Sequence, residues 1–289
     1  MPKIAIITDS TAFFTPEEKS HYQIELVPIN VMFEGKVYRD GLDLTLAQAY
    51  QFLEQNPKDW ATSTPAVGEF LAAFRKHASE GAEAIICLTL AKSISATWNN
   101  ARMAKEIAKN ELPKEVKIEV IDSGTAATGE RLLVKKVGEM IKEGKNFAEL
   151  IQTIEDLKKR LRMFIILETI RYIYRSGRIP EIASKIGAIL PLKPILSLHG
   201  GKIHFAGAAT HKEKSKNKIL GILKREFNKD LPEVDLMYID DPEETEDFKK
   251  KISLEIPEAK ISIGEFSPIV GYATGKETIA IAYFGKQIL

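Results

Sequence analysis

The chain has 289 residues, of which 44% are hydrophobic, and its 41 basic and 40 acidic side chains leave a formal net charge of +1. This length and composition support a substantial core, and we predict two α/β domains rather than one. The balanced charge gives no electrostatic reason to expect nucleic acid or an anionic membrane surface as a partner.

The first residues, MPKIAIITDS, lead directly into a predicted strand and lack the pattern of a signal peptide. No apolar segment of the sequence has the length of a transmembrane helix. The one cysteine, Cys87, excludes an intrachain disulfide and lies in an apolar run, where we interpret it as a buried core residue. We therefore predict a cytoplasmic protein with no stable membrane insertion.

The first half of the chain repeats an order of strand, polar turn and helix. Residues 3–8 are predicted as a strand that ends in Asp9, Ser10 and Thr11. The next predicted elements are a helix from the capping box at Thr15, extended segments at 25–33 and 36–38, a helix from the capping box at Thr45, a helix after Pro65, and strands at 84–88 and 116–121. Alternation of this kind predicts a parallel sheet with helices on its faces.

Hydroxyl side chains are concentrated where two of the predicted helices begin. The segment 62–65, with the sequence TSTP, precedes one of them, and Ser95 opens the helix that follows the strand at 84–88. One interpretation is that Thr64 and Ser95 only cap these helices. The alternative is an anion site, because free N–H groups, hydroxyl groups and the helix dipole favour negative charge at a helix N-terminus.

In an open parallel sheet, ligands bind beyond the carboxyl ends of the strands, which lie along one edge. The polar turns at 9–11, 62–64, 93–97 and 122–125 are predicted to share that edge, which favours binding of a small carboxylate or phosphate over capping alone. The sequence contains neither GxGxxG nor GxxxxGK[ST], so it predicts neither a dinucleotide nor a P-loop nucleotide.

The pattern changes near residue 146. Beyond it we predict helices at 146–160, 182–190, 211–224 and 243–252, and strands at 163–167, 191–197, 202–205, 236–239, 260–264 and 279–284. The strands on either side of Gly200-Gly201 have the pattern of an antiparallel hairpin. We therefore predict an N-terminal α/β domain with a parallel sheet over residues 1–160, and a C-terminal α/β domain with a mixed or antiparallel sheet over residues 161–289.

Six short segments follow one another along nearly the whole chain: DST at 9–11, TSTP at 62–65, ISATWNNA at 94–101, VIDS at 120–123, RSGRI at 175–179 and KPIL at 193–196. Together they resemble the DegV family of bacterial fatty-acid-binding proteins. Each segment alone is a weak signal, whereas six in register make the resemblance specific. The resemblance implies a two-domain α/β protein that encloses a long-chain fatty acid.

The resemblance also implies which residues hold the carboxylate of the fatty acid. The candidates are Thr62, Ser63, Ser95, Ala96 and Thr97, with Ser10, Gly271 and Ala273 as further site residues. The segments at 62–63 and 95–97 are among those that the residue pattern had already placed together, and neutral donors at helix starts can hold one carboxylate. The acyl chain would contribute about 0.8 kcal/mol for each buried CH₂ group, so head-group contacts would set orientation more than affinity.

Three positions depart from the family pattern. Ala96 stands where the family has a glycine, and Ala273 stands where it has a histidine. The arginine that often follows the second-domain hairpin aligns near Ala209 or Thr210. In family members that serve as the binding subunit of fatty acid kinase, that histidine and arginine lie beside the carboxylate. Their replacement is therefore expected to weaken partnership with a kinase subunit more than it weakens lipid binding.

We therefore predict a non-catalytic carrier of a long-chain fatty acid, with a fatty acid kinase catalytic subunit as a further partner and with no cofactor or metal. The alternative is a small-molecule phosphotransferase, or another enzyme, acting on a polar substrate at the same strand edge. None of the five histidines belongs to a recognisable motif, GxSxG is absent, and the segment at 9–11 lacks the second carboxylate of an aspartyl phosphatase. No set of His and carboxylate residues has the spacing of metal ligands.

Overall fold

A computed structural model of the chain describes residues 3–56, 58–179 and 192–286. Within these ranges the strands are β1 (Ile4–Asp9), β2 (Ile24–Val27), β3 (Asn30–Phe33), β4 (Lys36–Arg39), β5 (Ala61–Ser63), β6 (Ala84–Thr89), β7 (Lys117–Asp122), β8 (Leu161–Ile166), β9 (Lys193–His199), β10 (Lys202–Ala209), β11 (Glu233–Tyr238), β12 (Lys260–Glu265) and β13 (Ile279–Phe284). The helices are α1 (Pro16–Tyr22), α2 (Leu46–Gln55), α3 (Val67–Ser79), α4 (Thr97–Glu111), α5 (Ala127–Lys142), α6 (Phe147–Arg160), α7 (Arg171–Arg175), α8 (Lys212–Glu226), α9 (Pro242–Glu255) and α10 (Pro268–Thr274). The helix predicted at 182–190 lies outside the described residues.

Four parallel strands form the first sheet, in the order β2-β1-β6-β7. Strands β1 and β6 are buried along their whole length, because α3 and α4 cover one face of the sheet and α5 covers the other. The predicted parallel sheet of the first half is thereby confirmed. The predicted extended run at 25–33 is divided between two sheets, and the break falls at Pro28, which cannot donate to a strand ladder.

A small antiparallel sheet has the order β4-β3-β5. Glu34 and Gly35, both with positive φ, join β3 to β4 as the sequence predicts. Strand β5 is only three residues long and was not indicated by any periodic pattern. Because residues 61–63 pair with β3, α3 begins at Val67 with Ala66 as its N-cap, and the interpretation of Thr64 as the N-cap is wrong. Pro65 contributes to this later start of α3, because the residue before a proline is held away from helical geometry.

The second large sheet has six strands in the order β10-β9-β8-β13-β11-β12. Only β11 and β12 run parallel, and the other neighbours are antiparallel, so the predicted mixed sheet is confirmed. Strands β9 and β10 form the predicted hairpin around Gly200-Gly201. Strand β13, which comes last among the described strands, lies in the middle of the sheet between β8 and β11.

Helix α5 lies between the two large sheets. It packs against β1 and β6 on one side and against β8, β11 and β13 on the other. One hydrophobic core therefore continues from Ile6 in the first sheet to Ala280 in the second. The strands of the second sheet begin at Leu161, and the division into domains 1–160 and 161–289 stays a prediction. No helix in the described ranges combines the length and apolarity needed to cross a bilayer.

A buried ion cluster joins α5 to β11 and to α1. The guanidinium of Arg131 donates to Asp235 with one terminal nitrogen and to Glu18 with the other. Asp235 is fully buried and also accepts hydrogen bonds from Thr128 Oγ1 at 2.9 Å and from Ser262 Oγ at 2.5 Å. A buried charge pair with this many partners fixes the position of both elements.

Candidate ligand-binding cavity

A cavity of about 1120 Å³ lies between the turns beside the parallel sheet and one face of the six-stranded sheet. Pockets for small molecules usually occupy roughly 300–1,000 Å³, so this cavity can hold an elongated ligand. Its wall is mainly apolar. The apolar lining residues include Ile29, Leu90, Ile94, Met163, Ile165, Ile173, Ile179, Leu196, Leu198, Ile203, Phe205, Ile269 and Val270.

The hairpin of β9 and β10 supplies one continuous part of this wall. Leu198 pairs with Ile203 and Leu196 pairs with Phe205, so all four side chains lie on one face of the sheet. All four line the cavity. Of these four residues, only Leu196 lies in one of the six segments singled out from the sequence, and none of the four was predicted to contact a ligand. The alternation of apolar and polar residues in the hairpin was a signal that could have found them.

The threonine-rich segment lies at the same cavity. Thr62 and Ser63, in β5, line the cavity together with Thr64. The side-chain amide of Asn100, on α4, donates to Thr64 Oγ1 at 3.0 Å and to the carbonyl oxygen of Pro65 at 2.8 Å. This contact ties the segment at 62–65 to the start of α4, where the second group of predicted hydroxyls lies.

At the start of α4, Ser95 and Ala96 line the cavity. The N-cap is Ala96, so the interpretation of Ser95 as the N-cap is wrong by one residue. Ser95 Oγ nevertheless accepts the backbone N–H of Thr97 at 3.3 Å and lies 2.8 Å from Thr97 Oγ1. Thr97 itself is buried behind Ser95 and is not among the described lining residues.

Two other predicted site residues do not line this cavity. Ser10 Oγ accepts the backbone N–H of Ile29 at 3.1 Å, and Ser10 lines a second cavity of about 840 Å³. Gly271 stands against the ring of Tyr50, where a Cβ atom would lie 2.8 Å from a ring carbon. Its lack of a side chain therefore permits close packing of α10 on α2. Ala273 does line the first cavity.

At the end of the cavity lined by Thr62, Ser63 and Ser95, the groups that favour a negative charge are themselves uncharged. Helices α4 and α5 both begin at the cavity, through Ala96 and Ala126, and neither of these N-cap residues has a side chain that caps the helix, although Ser95 Oγ accepts the N–H of Thr97 in α4. Their free N–H groups and dipoles favour a negative charge. Of the described lining residues, only Arg178, Lys202 and His204 are basic and none is acidic. Lys202 and His204 alternate with Ile203 along β10, so their side chains are directed to the other face of the sheet.

The second cavity is lined by a carboxyl group as well as by Ser10. Asp40 is buried there, and burial raises the pKa of its carboxyl group to about 6, although a hydrogen bond from Ser10 acts in the opposite direction. No group of three His, Cys, Asp or Glu side chains in the part of the chain that the structure describes is placed to hold a metal ion.

We expect Asp40→Asn to stabilise the protein at pH 7.5 by on the order of 2 kcal/mol. The raised pKa means that the folded chain binds more protons than the unfolded chain between about pH 4 and pH 6, so stability falls as the pH rises through that window. Asparagine cannot ionise and avoids this loss. Urea unfolding at pH 3.5 and pH 7.5 should show the gain only at the higher pH, and an equal gain at both would contradict the prediction.

The parallel sheet, the mixed sheet and the large apolar cavity with hydroxyl groups at one end define an α/β ligand-binding protein. The family described as "Uncharacterised protein, DegV family" matches residues 3–286. The chain belongs to the DegV family.

Individual relatives cover the chain equally well. A DegV domain-containing protein of Clostridium acetobutylicum is 26% identical over 287 residues, which span 99% of this chain and 100% of the relative. A stearic acid-binding protein from Eubacterium ventriosum superposes with a TM-score of 0.87 at 27% identity, covering 99% of both chains. A DegV family protein from Thermus thermophilus, described by its fatty acid binding, has a TM-score of 0.88 at 22% identity and covers 98% of this chain and 99% of its own.

Proposed function

We propose that the protein binds a long-chain fatty acid in the cavity of about 1120 Å³ and acts as a carrier rather than as an enzyme. The observation that carries the proposal is the combination of a long apolar wall with hydroxyl groups and helix N-termini at one end. The apolar wall can bury an acyl chain, and the hydroxyl groups and helix N-termini at one end can bind a carboxylate. The stearic acid-binding neighbour from Eubacterium ventriosum supports the same class of ligand.

Within this proposal, the carboxylate lies among Thr62, Ser63, Ser95 and the backbone N–H of Ala96. Thr97 acts indirectly, because its hydroxyl orients that of Ser95. Ser10 and Gly271 serve the packing around the cavity. Ala273 forms part of the wall.

Replacement of Ser95 by alanine should weaken fatty acid binding by about 1.5 to 3 kcal/mol, which is roughly a 10- to 150-fold loss of affinity. The reason is the loss of one hydrogen bond to a charged group. The exposed Ser253 on α9 offers a matched control, since Ser253→Ala removes a hydroxyl far from the cavity and should leave affinity unchanged. Titration calorimetry with both variants measures the effect. An unchanged affinity in Ser95→Ala would place the carboxylate elsewhere.

The direct test of the function is mass spectrometry of small molecules extracted from purified, denatured protein. A stoichiometric fatty acid would support the proposal and give the chain length. Empty or polar extracts, together with no change in Tm on saturation with fatty acids, would overturn it.

The proposal assigns no catalytic step to this chain. The described lining residues include no acidic side chain and no cysteine, and the side chains of Lys202 and His204 are directed to the other face of the sheet, which favours binding over acid-base or thiol chemistry. A phosphotransferase acting on a polar substrate is the alternative, and turnover that disappears in Ser95→Ala would favour it.

We also propose a cytoplasmic location and a kinase subunit as a partner. Pull-down with a fatty acid kinase catalytic subunit tests the partnership, which Ala273 in place of the family histidine makes less favourable.

A further inference from the structure

Two carboxyl groups, those of Asp9 and Glu130, are buried behind the cavity wall. Asp9 ends β1, and Glu130 lies near the start of α5. Thr11 stands between the two groups and also lines the cavity. The pair therefore lies one side chain away from the ligand site proposed above, and the proposed contacts to the fatty acid do not include it.

Burial raises the pKa of the Asp9 carboxyl group, but the hydrogen bonds that it accepts from Thr11, Leu90 and Glu130 act in the opposite direction and favour its charged form. Its Oδ1 accepts the backbone N–H of Thr11 at 3.1 Å, and its Oδ2 accepts the backbone N–H of Leu90 at 2.8 Å. An ionised carboxylate is the form that accepts at both oxygens most strongly. Thr11 and Leu90 both line the cavity, so Asp9 fixes two residues of its wall.

The hydroxyl of Thr11 requires a donor on Glu130. Thr11 Oγ1 lies 2.5 Å from Asp9 Oδ1 and 2.9 Å from Glu130 Oε2. A hydroxyl has only one hydrogen, and the shorter contact with the charged carboxylate takes it. The contact with Glu130 is then a hydrogen bond only if Oε2 carries a proton and donates it. The other oxygen, Oε1, lies 2.9 Å from the hydroxyl of Thr8, which donates to it.

The surroundings favour the neutral form of Glu130. Burial raises the pKa of its carboxyl group well above the usual value, and the charge of Asp9 raises it further. The titratable groups that interact with the pair are Cys87 on β6 and Asp40 after β4, and neither supplies positive charge. The neighbouring Arg131 is directed to the ion cluster on the other side of α5.

We infer that Glu130 is held as a neutral carboxylic acid, and that hydrogen bonds running from Glu130 through Thr11 to Asp9 position the cavity wall. Ionisation of Glu130 would place two like charges in one buried space and remove the donor to Thr11. The wall formed by Thr11 and Leu90 would then lose its fixed position. Glu130 is a positioning residue, and its effect on a ligand rests on the proposed fatty acid binding.

The protonation state is tested by comparing the wild type with Glu130→Gln between pH 5 and pH 8. The folded wild type keeps a proton that the unfolded chain loses near pH 4 to 5, so its stability falls as the pH rises. Glutamine is neutral throughout, and the Tm difference in its favour should grow by several degrees over this range. At pH 8, where Asp40 is ionised, the infrared band of a protonated carboxyl group should be present in the wild type and absent in the variant. A Tm difference independent of pH, or no such band, would overturn the inference.

The positioning role is tested by fatty acid titration. Glu130→Gln keeps a neutral donor of the same shape and should retain affinity, whereas Glu130→Leu is also neutral but cannot donate and should lose at least fivefold. Thr11→Val removes the hydroxyl between the acids and should resemble the leucine variant. Equal affinities in all of these proteins would overturn the positioning role. If the wild type binds no fatty acid, the proposed function fails, while the pH dependence of Tm still decides the protonation state.

Discussion

Replacing Arg131 by methionine is expected to lower the free energy of unfolding by about 3 to 5 kcal/mol, because it leaves the carboxylate of Asp235 buried without its main partner. Lys135 Nζ lies 3.7 Å from Asp235 Oδ1 and offsets part of the lost charge, which favours the lower end of that range. Urea unfolding at neutral pH measures the change.

A surface pair supplies the control for this exchange. Arg75 pairs with Glu111 at 2.6 Å, and the two side chains are 53% and 37% exposed, so Arg75→Met should cost less than about 1 kcal/mol. The double variant Arg131→Met with Asp235→Leu removes both buried charges and should recover part of the stability. Equal effects of Arg131→Met and Arg75→Met would show that the buried cluster does not hold α5 to β11.

Introduction of tryptophan at Ile203 is expected to weaken binding of a long-chain fatty acid about 100-fold. The side chain of Ile203 shares the cavity face of the hairpin with Leu198. The indole ring of a tryptophan at this position would occupy part of the cavity that the acyl chain would otherwise fill. Exclusion of about four CH₂ groups, at about 0.8 kcal/mol each, costs roughly 3 kcal/mol. Titration with stearate and octanoate measures the loss, which should be much smaller for the shorter acid.

The same substitution at Ile107 is the matched control. Ile107 is 39% exposed on α4 and does not line the cavity, so Ile107→Trp should leave both affinities unchanged. Equal losses in the two variants, or a loss at Ile203 that is the same for stearate and octanoate, would contradict an acyl chain along β10.

The strands of the parallel sheet could be predicted because their patterns are local. Strands β1 and β6 are short apolar runs followed by polar turns, and helices on both faces account for their lack of alternation. The segments at 62–64 and 95–96 do meet at the cavity, but only 95–96 follows a strand of the parallel sheet, whereas residues 62 and 63 belong to β5 of the small antiparallel sheet. Their helix boundaries were misjudged by one or two residues, because strand pairing of β5 and the turn at Ser95 depend on distant partners.

The charged residues of α5 could not be interpreted from the sequence. A helix with one buried stripe exposes its charges, and Glu130 and Arg131 look like residues of such an exposed face. In the structure α5 is covered by a sheet on each side, so both are buried and form hydrogen bonds with residues more than a hundred positions away. No local pattern encodes such partners. Gly271 was likewise selected by resemblance, whereas its contact with Tyr50 is a matter of packing.

The position of β13 has a consequence for synthesis of the chain. Its residues, Ile279–Phe284, supply the middle of the six-stranded sheet and part of the surface on which α5 packs. During synthesis from the N-terminus, β8 can pair with β9 but lacks its other neighbour, β13, for more than a hundred residues, and the part of α5 that packs on β13 stays exposed to water. The second sheet can therefore close only after residue 284 has left the exit tunnel, and nascent chains stalled before that point are expected to depend on chaperones.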